Sequence, residues 1–295
     1  MSEHPQPGIS FVVITYNDAG RLPRCLVSAA LAASASGLDH EILVVDNGST
    51  DHTRPLLEAF GQVLGGRLKT IYLGRNTGTT FSRNRALEAS RGRMICVMDS
   101  DAEILDLDLR PVLRLLQDFP EVGIVGPAII MPDGSTYNSV KRLPTLADKL
   151  LKLPGILLRR PTINHDWYPG FPFAHTRCVQ TAISCCWFLT RDTWQRVGPL
   201  DERIFYAPED VDYCLRAWKA GRAVVFYPHL RVKHHTRHIT HKKPFSATSL
   251  SHLKGLVYYL HKHGYWLSRR RLVEGTIRPL ARVLDLRLAR WEAAP

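Results

Sequence analysis

Four short apolar runs, each stopping at polar residues and each followed by helix-patterned sequence, fill the first hundred positions. They are Ile9 to Ile14, Glu41 to Val45, Leu68 to Leu73 and Met94 to Met98. Apolar runs of this length suit strands buried on both faces, as in a parallel sheet. Leu22, Cys25, Leu26 and Ala29 recur at helical spacing, and helices are also expected from about Thr53 to Phe60 and from Thr79 to Ser90. Alternating strand and helix predicts an α/β fold, a Rossmann-like, mostly parallel central sheet with helices on both faces. The runs end in Thr15-Tyr16-Asn17, Asp46-Asn47-Gly48-Ser49, Gly74-Arg75-Asn76-Thr77-Gly78 and Asp99-Ser100-Asp101. All four ends belong on one edge of the sheet, where open α/β folds bind ligands.

The polar ends read as a nucleotide site, and two common versions are excluded. A dinucleotide fold places G-x-G-x-x-G after its first strand, where this chain has Thr15-Tyr16-Asn17, and no P-loop occurs. Asp99 and Asp101, one residue apart at a strand end, suit a hard divalent cation that grips phosphates. They equally suit capping of a following helix.

Composition narrows the partners. The 295 residues are 45% hydrophobic, enough for one large domain or two small ones. The formal charge of +12, concentrated in the second half, implies an anionic partner: nucleic acid, a membrane surface or a phosphorylated substrate. No signal peptide is evident, and the longest apolar-looking segment, Leu26 to Leu38, is too short and serine-interrupted to span a membrane. Cys25, Cys96, Cys185, Cys186 and Cys214 lie in apolar or helical patterns and read as reduced cytosolic thiols.

In order, Thr15-Tyr16-Asn17, Val44-Val45-Asp46-Asn47-Gly48-Ser49, Asn76-Thr77-Gly78 through Arg83-Asn84-Arg85-Ala86-Leu87, and Asp99-Ser100-Asp101 resemble the blocks of the inverting GT-A glycosyltransferases of family 2. The resemblance covers roughly residues 9 to 235 and extends to rhamnosyltransferase-like members that build cell-envelope polysaccharide. It implies a GT-A catalytic domain over 1–243, with a nucleotide-sugar half at about 9–105 and an acceptor half at about 106–243. Asp46 then hydrogen-bonds the base beside Thr15 and Tyr16, with Asn17, Asn76 and Ser100 also on the donor side. Arg83 contacts the donor's phosphate or sugar region, Asp99 touches ribose or sugar, and Asp101 binds Mg2+ or Mn2+. His234, after Val232-Lys233, takes the place of the histidine that completes the family's metal site. A zinc site among His229, His235, His238 and His241 is disfavoured, because no acids or cysteines stand at ligand spacing. Without a ligand, Asp46-Asn47 is an Asx turn and Arg83 a solvated helix face.

Further on, a helix is expected over 107–119, strands over 122–127 and 128–131, and a hairpin turn at Pro132-Asp133-Gly134. Residues 141–177 form a long irregular segment, either an acceptor-side lid or a surface excursion. A strand over 181–189, a helix over 191–197 and a strand over 223–227 follow. Glu209-Asp210 resembles the family's acidic acceptor motif, so Asp210 is the expected base, with Glu209 and Asp212 as rivals. Asp212, Trp187 and Arg216 complete the acceptor side. Asp212 and Arg216 also fit an i,i+4 ion pair. A helix N-terminus lowers a carboxyl pKa, whereas a base benefits from a raised one; an apolar lining from Phe205, Tyr206 or Trp187 would offset this.

Residues 244–295 form a basic extension with two helical stripes: Leu250, Leu253, Val257 and Leu260, then Val273, Ile277, Leu280, Leu284, Leu288 and Trp291. Such helices lie in a membrane interface or dock on the domain. Pro279 starts or kinks the second. The resulting expectation is a metal-dependent transferase moving a sugar from a nucleotide-diphosphate sugar to a polyprenyl-diphosphate-linked or other glycan. It would sit peripherally on the cytoplasmic face of an anionic membrane, with no nucleic-acid partner. The alternative is a non-catalytic basic protein on the same fold that binds membrane or nucleic acid. A nucleotidyltransferase is weaker still.

Overall fold

The computed structural model describes residues 6–152, 155, 164–168, 170–235 and 247–293. Strands β1 (Ile9–Thr15), β2 (His40–Asp46), β3 (Leu68–Tyr72) and β4 (Met94–Asp99) are parallel, in the order β3-β2-β1-β4. Helices α1 (Leu22–Ala35), α2 (Thr53–Leu64) and α3 (Thr79–Ala89) connect them. The order runs outward from β1 to β3 and then reverses to put β4 on the other side of β1. Right-handed crossovers therefore place α1 and α2 on one face and α3 on the other. The reversal opens a crevice at the carboxyl ends of β1 and β4. There Thr15 is in register with Asp46, and Ile14 with Asp99.

Beyond β4 the sheet becomes mixed. After β5 (Ala102–Ile104), α4 (Arg110–Asp118) leads into β6 (Val122–Ile130), which makes a hairpin with β7 (Thr136–Tyr137). The chain continues through β8 (Val140–Lys141), α5 (Leu146–Leu150), β9 (Arg177–Cys178), β10 (Thr181–Ala182), β11 (Cys186–Thr190), α6 (Arg191–Val197), α7 (Glu209–Lys219) and β12 (Ala223–His234). β11 inserts antiparallel between β4 and β6, while β12 runs parallel to β6 and antiparallel to β5 at the edge.

Three expected elements differ. Residues 122–130 are one strand, because the hairpin turn comes only after Met131. The expected strand over 181–189 is two, broken where the Cys185 carbonyl accepts from Asp99 N at 3.0 Å and Ser184 turns toward Arg83. β12 runs on past Tyr227, absorbing Pro228, which has no N–H for the ladder, in a register shift between Tyr227 and Arg231.

The C-terminal helices join the main core. α8 (Ala247–His263) is followed by α9 (Arg270–Leu272), then by a π-helical stretch, Val273–Ile277, leading into α10 (Arg278–Glu292) with Pro279 in its first turn. Ile277, Leu284 and Leu288 of the second stripe are buried against the domain. Asp285 accepts from Cys178 N at 2.6 Å, and Glu292 from Thr176 N at 3.1 Å. In α8 only Leu260 of the first stripe is buried, whereas Leu250, Leu253 and Val257 face solvent. Gly255 lets α8 approach the segment before α7 so closely that an added Cβ would sit 2.1 Å from the Ala207 carbonyl oxygen. Cys25, Cys96, Cys185, Cys186 and Cys214 are buried free thiols. Among the described residues, no helix is long and apolar enough to cross a membrane.

Candidate active site

No helix follows Asp99 and Asp101 directly. The chain turns at Ser100 and Asp101 into β5, which corrects the helix-capping alternative. β5 pairs with the end of β12 in the register Val232–Ile104 and His234–Ala102, and His235 N donates to the Asp101 carbonyl at 2.8 Å. That pairing carries His234 from the far end of the chain to the aspartates. Asp99, Asp101 and His234 offer ligand atoms all within 4.8 Å of one another. Two carboxylates and an imidazole suit a divalent cation that completes its shell with water or phosphate oxygens.

The Asp101 carboxylate lies 3.2 Å from His234 Nε2 and 3.2 Å from Arg21 Nη1. Burial pushes its pKa up, but the His234 hydrogen bond and the His234 and Arg21 charges outweigh this and hold it below the ordinary value. Burial lowers His234 in turn, and the two aspartates more than restore it. Arg21 also binds Asp18 at 2.6 Å, and Ser100 Oγ donates to the other Asp18 oxygen at 2.6 Å. Asp18 and Arg21, which carried no distinguishing sequence signal, thus brace the Asp99–Asp101 turn.

The other donor-side residues divide in two. Asn17, with φ of +50°, accepts from Thr50 N at 2.7 Å, tying the loop after β1 to the loop after β2. Asn76 accepts from Asn47 Nδ2 at 3.1 Å and Gly78 N at 3.0 Å. These two shape loops. Thr15 is buried with its hydroxyl unpartnered among the described residues, Tyr16 is half exposed, and Asp46 accepts from Ser49 N at 2.9 Å. All three sit at the carboxyl ends of β1 and β2.

Arg83 is fully buried, not on a solvated face. Its guanidinium lies 2.5 Å from Asp99 Oδ1 and 2.9 Å from Glu209 Oε1, and it donates to Ser184 Oγ at 2.9 Å. It thereby links the cation cluster to the start of α7. Burial and the Asp210 charge push the Glu209 carboxyl up to about 7, against the pull of Arg83. Asp210 is also raised, by burial, against the Lys141 charge and its own bond from Val211 N. At this helix start burial outweighs the backbone dipole. Arg83→Met should leave two facing carboxylates unpaired, destabilising the fold by about 3–5 kcal/mol in urea unfolding. Arg83→Lys should recover only part of this, because an ammonium lacks the bridging fork.

The remaining acceptor-side candidates sit apart from this pair. Asp212 is buried under Arg216 at 2.9 Å, Lys262 at 2.6 Å and His263 at 2.8 Å, a clamp of α7 to α8. Trp187 lies in the core, stacked on Tyr213. Tyr206, rather than Trp187, stands at the rim near Asp99, Glu209 and Asp210, with its phenol raised to about 12 chiefly by burial. His235 pairs with Glu103 and His229 with Glu292. His238 and His241 lie outside the described residues, as do Lys242 to Pro244 and parts of the 141–177 segment.

Residues 10–192, more than half of the chain, match the profile of glycosyl transferase family 2. The chain belongs to that family. This glycosyltransferase is 27% identical over 278 residues to N-acetylglucosaminyl-diphospho-decaprenol L-rhamnosyltransferase of Mycobacterium tuberculosis, covering 86% of this chain and 85% of that protein. It is 30% identical over 189 residues to undecaprenyl-phosphate 4-deoxy-4-formamido-L-arabinose transferase of Pseudomonas paraeruginosa, covering 63% of this chain and 52% of that one. Its fold matches GalNAc-T7 solved with UDP, GalNAc and Mn2+, with a TM-score of 0.64 and 18% identity, over 87% of this chain and 48% of that one. It also matches the mannosyltransferase PcManGT of Pyrobaculum calidifontis solved with GDP-Man and Mn2+, with a TM-score of 0.59 and 18% identity, over 88% and 64% of the respective chains. The fold is therefore GT-A, and the chain is an enzyme. The non-catalytic alternative is not favoured.

Proposed function

We propose that the glycosyltransferase moves a sugar from a nucleoside-diphosphate sugar to a polyprenyl-diphosphate-linked glycan, inverting the anomeric centre in a single displacement. The observation that carries this reading is the cluster of Asp99, Asp101 and His234 tied through Arg83 to Glu209, whose neighbour in the chain is Asp210. A divalent cation, Mg2+ or Mn2+, held by Asp99, Asp101 and His234 supplies the positive charge that a diphosphate needs among carboxylates. Asp46, with Thr15 and Tyr16, holds the base, and Asp99 reaches the ribose or sugar. The acceptor hydroxyl oxygen attacks the anomeric carbon opposite the leaving group, and its proton passes to Asp210. The bond from the anomeric carbon to the diphosphate oxygen breaks, and the electron pair leaves with the nucleoside diphosphate.

In this reading residues 9–105 bind the donor, 106–243 face the acceptor, and 244–295 form a basic helical extension. Relatives named for decaprenol and undecaprenyl substrates, together with the charge of +12, support work at the cytoplasmic face of an anionic membrane. The test is calorimetric titration with UDP-, GDP- and dTDP-sugars, with and without Mn2+ or Mg2+. Metal-dependent binding of one nucleotide is expected, followed by transfer to a polyprenyl-diphosphate-linked N-acetylglucosamine. A folded protein that binds none of these donors would overturn the reading.

A further inference from the structure

Beside Asp210 lies a group of cations that the reaction above does not use. β8 pairs with β10 so that Lys141 faces Thr181, and Lys141 also bridges to Trp167. On α5 and just beyond it, Lys149 and Lys152 reach the buried Asp166 at 3.0 and 3.3 Å. Thr181, the partner of Lys141, lies three residues before Ser184, which donates to Glu209 beside Asp210 at 3.2 Å, and the charge of Lys141 bears on Asp166, Asp210 and His252 of α8. Lys149 and Lys152 thus share one carboxylate, and Lys141 makes no ion pair among the described residues. Burial and the three lysine charges push His252 down to about 4, so it is neutral near pH 7. Burial and the charge of Lys149 likewise lower Lys152. Crowded cations of this kind are relieved by an anion.

The surroundings are apolar. In Lys149-Leu150-Leu151-Lys152 the lysines turn in to Asp166, while the leucines are 49% and 61% exposed. Leu253, next to His252, is 57% exposed. α5 and the C-terminal helices are held together by Leu146 N donating to the Trp266 carbonyl at 2.7 Å and by Arg269 on Asp148 at 2.6 Å.

We propose that Lys141, Lys149 and Lys152 form the subsite for the acceptor's diphosphate, with the prenyl chain leaving over Leu150, Leu151 and Leu253. The assignment rests on the lipid-linked acceptor proposed above. Where that acceptor carries a single sugar, as in the N-acetylglucosamine acceptor of the test above, the diphosphate is separated from the reacting hydroxyl by that sugar alone, so it lies close to the base. Charge then sorts the two diphosphates. The donor's enters among carboxylates and requires a cation, whereas the acceptor's meets lysines directly.

The test is calorimetric binding of farnesyl diphosphate to the full chain in EDTA, which disables the metal-dependent donor site. Lys141→Met, and separately the double variant Lys149→Met/Lys152→Met, should weaken binding about tenfold or more, the effect of losing a charge-assisted contact. Donor binding in Mn2+ should not change. Inorganic diphosphate should bind more weakly than farnesyl diphosphate, since it lacks the apolar part. Wild-type affinity in both variants, or no binding by the unmodified protein, overturns the subsite. Equal binding of inorganic diphosphate overturns the prenyl path over the leucines. Equal displacement by phosphatidylglycerol vesicles would make the patch a general headgroup site and also overturn it. Lysine-dependent binding without transfer to any polyprenyl-diphosphate-linked sugar would leave the subsite standing and overturn the proposed reaction instead.

Discussion

Asp101→Asn is expected to abolish metal-dependent donor binding and to lower kcat/KM on the order of 10³-fold, the scale of removing several kcal/mol of charge stabilisation. The amide keeps the shape of the side chain and can still accept from Arg21, so the Asp99–Asp101 turn should persist. What is lost is the charge. Asp99 and His234 alone make a poor site for a hard cation, and His234, without its counter-charge, falls back toward ordinary imidazole behaviour. Donor titration with and without Mn2+ measures the effect, and the thermal midpoint checks the fold. Metal-dependent donor binding at wild-type affinity in this variant would rule out Asp101 as a ligand.

Asp210→Asn is expected to behave differently, sparing donor affinity while lowering kcat by about 10²–10⁴-fold, the usual contribution of a general base. This carboxylate accepts from Val211 N at 2.8 Å, a bond that an amide oxygen also accepts. Glu209, by contrast, is committed to Arg83 and Ser184. Glu209→Gln should therefore disturb the Arg83 bridge and lower donor affinity as well as rate. The acid pair also sets a pH dependence. A carboxyl with a raised pKa is protonated, and so unable to accept a proton, at a pH where an ordinary one is ionised. Wild-type kcat/KM should fall as pH drops through the range of this coupled pair, whose Glu209 member sits at about 7. In Asp210→Asn the acid limb should flatten. A wild-type turnover rate in Asp210→Asn would transfer the role of base to another group.

Arg83 shows where sequence reading stops. Its place in the Asn76–Leu87 block is plain, but a helix-borne arginine looks the same whether it faces water or two carboxylates. Only the meeting of α3 with the end of β4, Ser184 and the start of α7 makes it a buried bridge. Trp187 shows the reverse. A tryptophan near an acidic motif suggests an acceptor side, yet β11 lies between β4 and β6 with both faces covered, and Trp187 packs on Tyr213 in the core. Lys141, inside a segment without periodicity, carried no signal at all.

The sequence by itself determined the α/β class, the four parallel strands and the edge on which their polar ends gather. Those features depend on local period and on runs of apolar residues, which are one-dimensional. It also determined family membership, because four ordered blocks hold their meaning without coordinates. The tertiary structure alone decided which acids meet. His234 reaches Asp101 across more than a hundred residues through the β5–β12 register, and Arg83 joins Asp99 to Glu209 through three separate elements. The same holds for the C-terminal stripes, of which one docks and the other faces solvent at all but Leu260. A helical stripe records that a face is apolar, and only the partner surface determines what covers it.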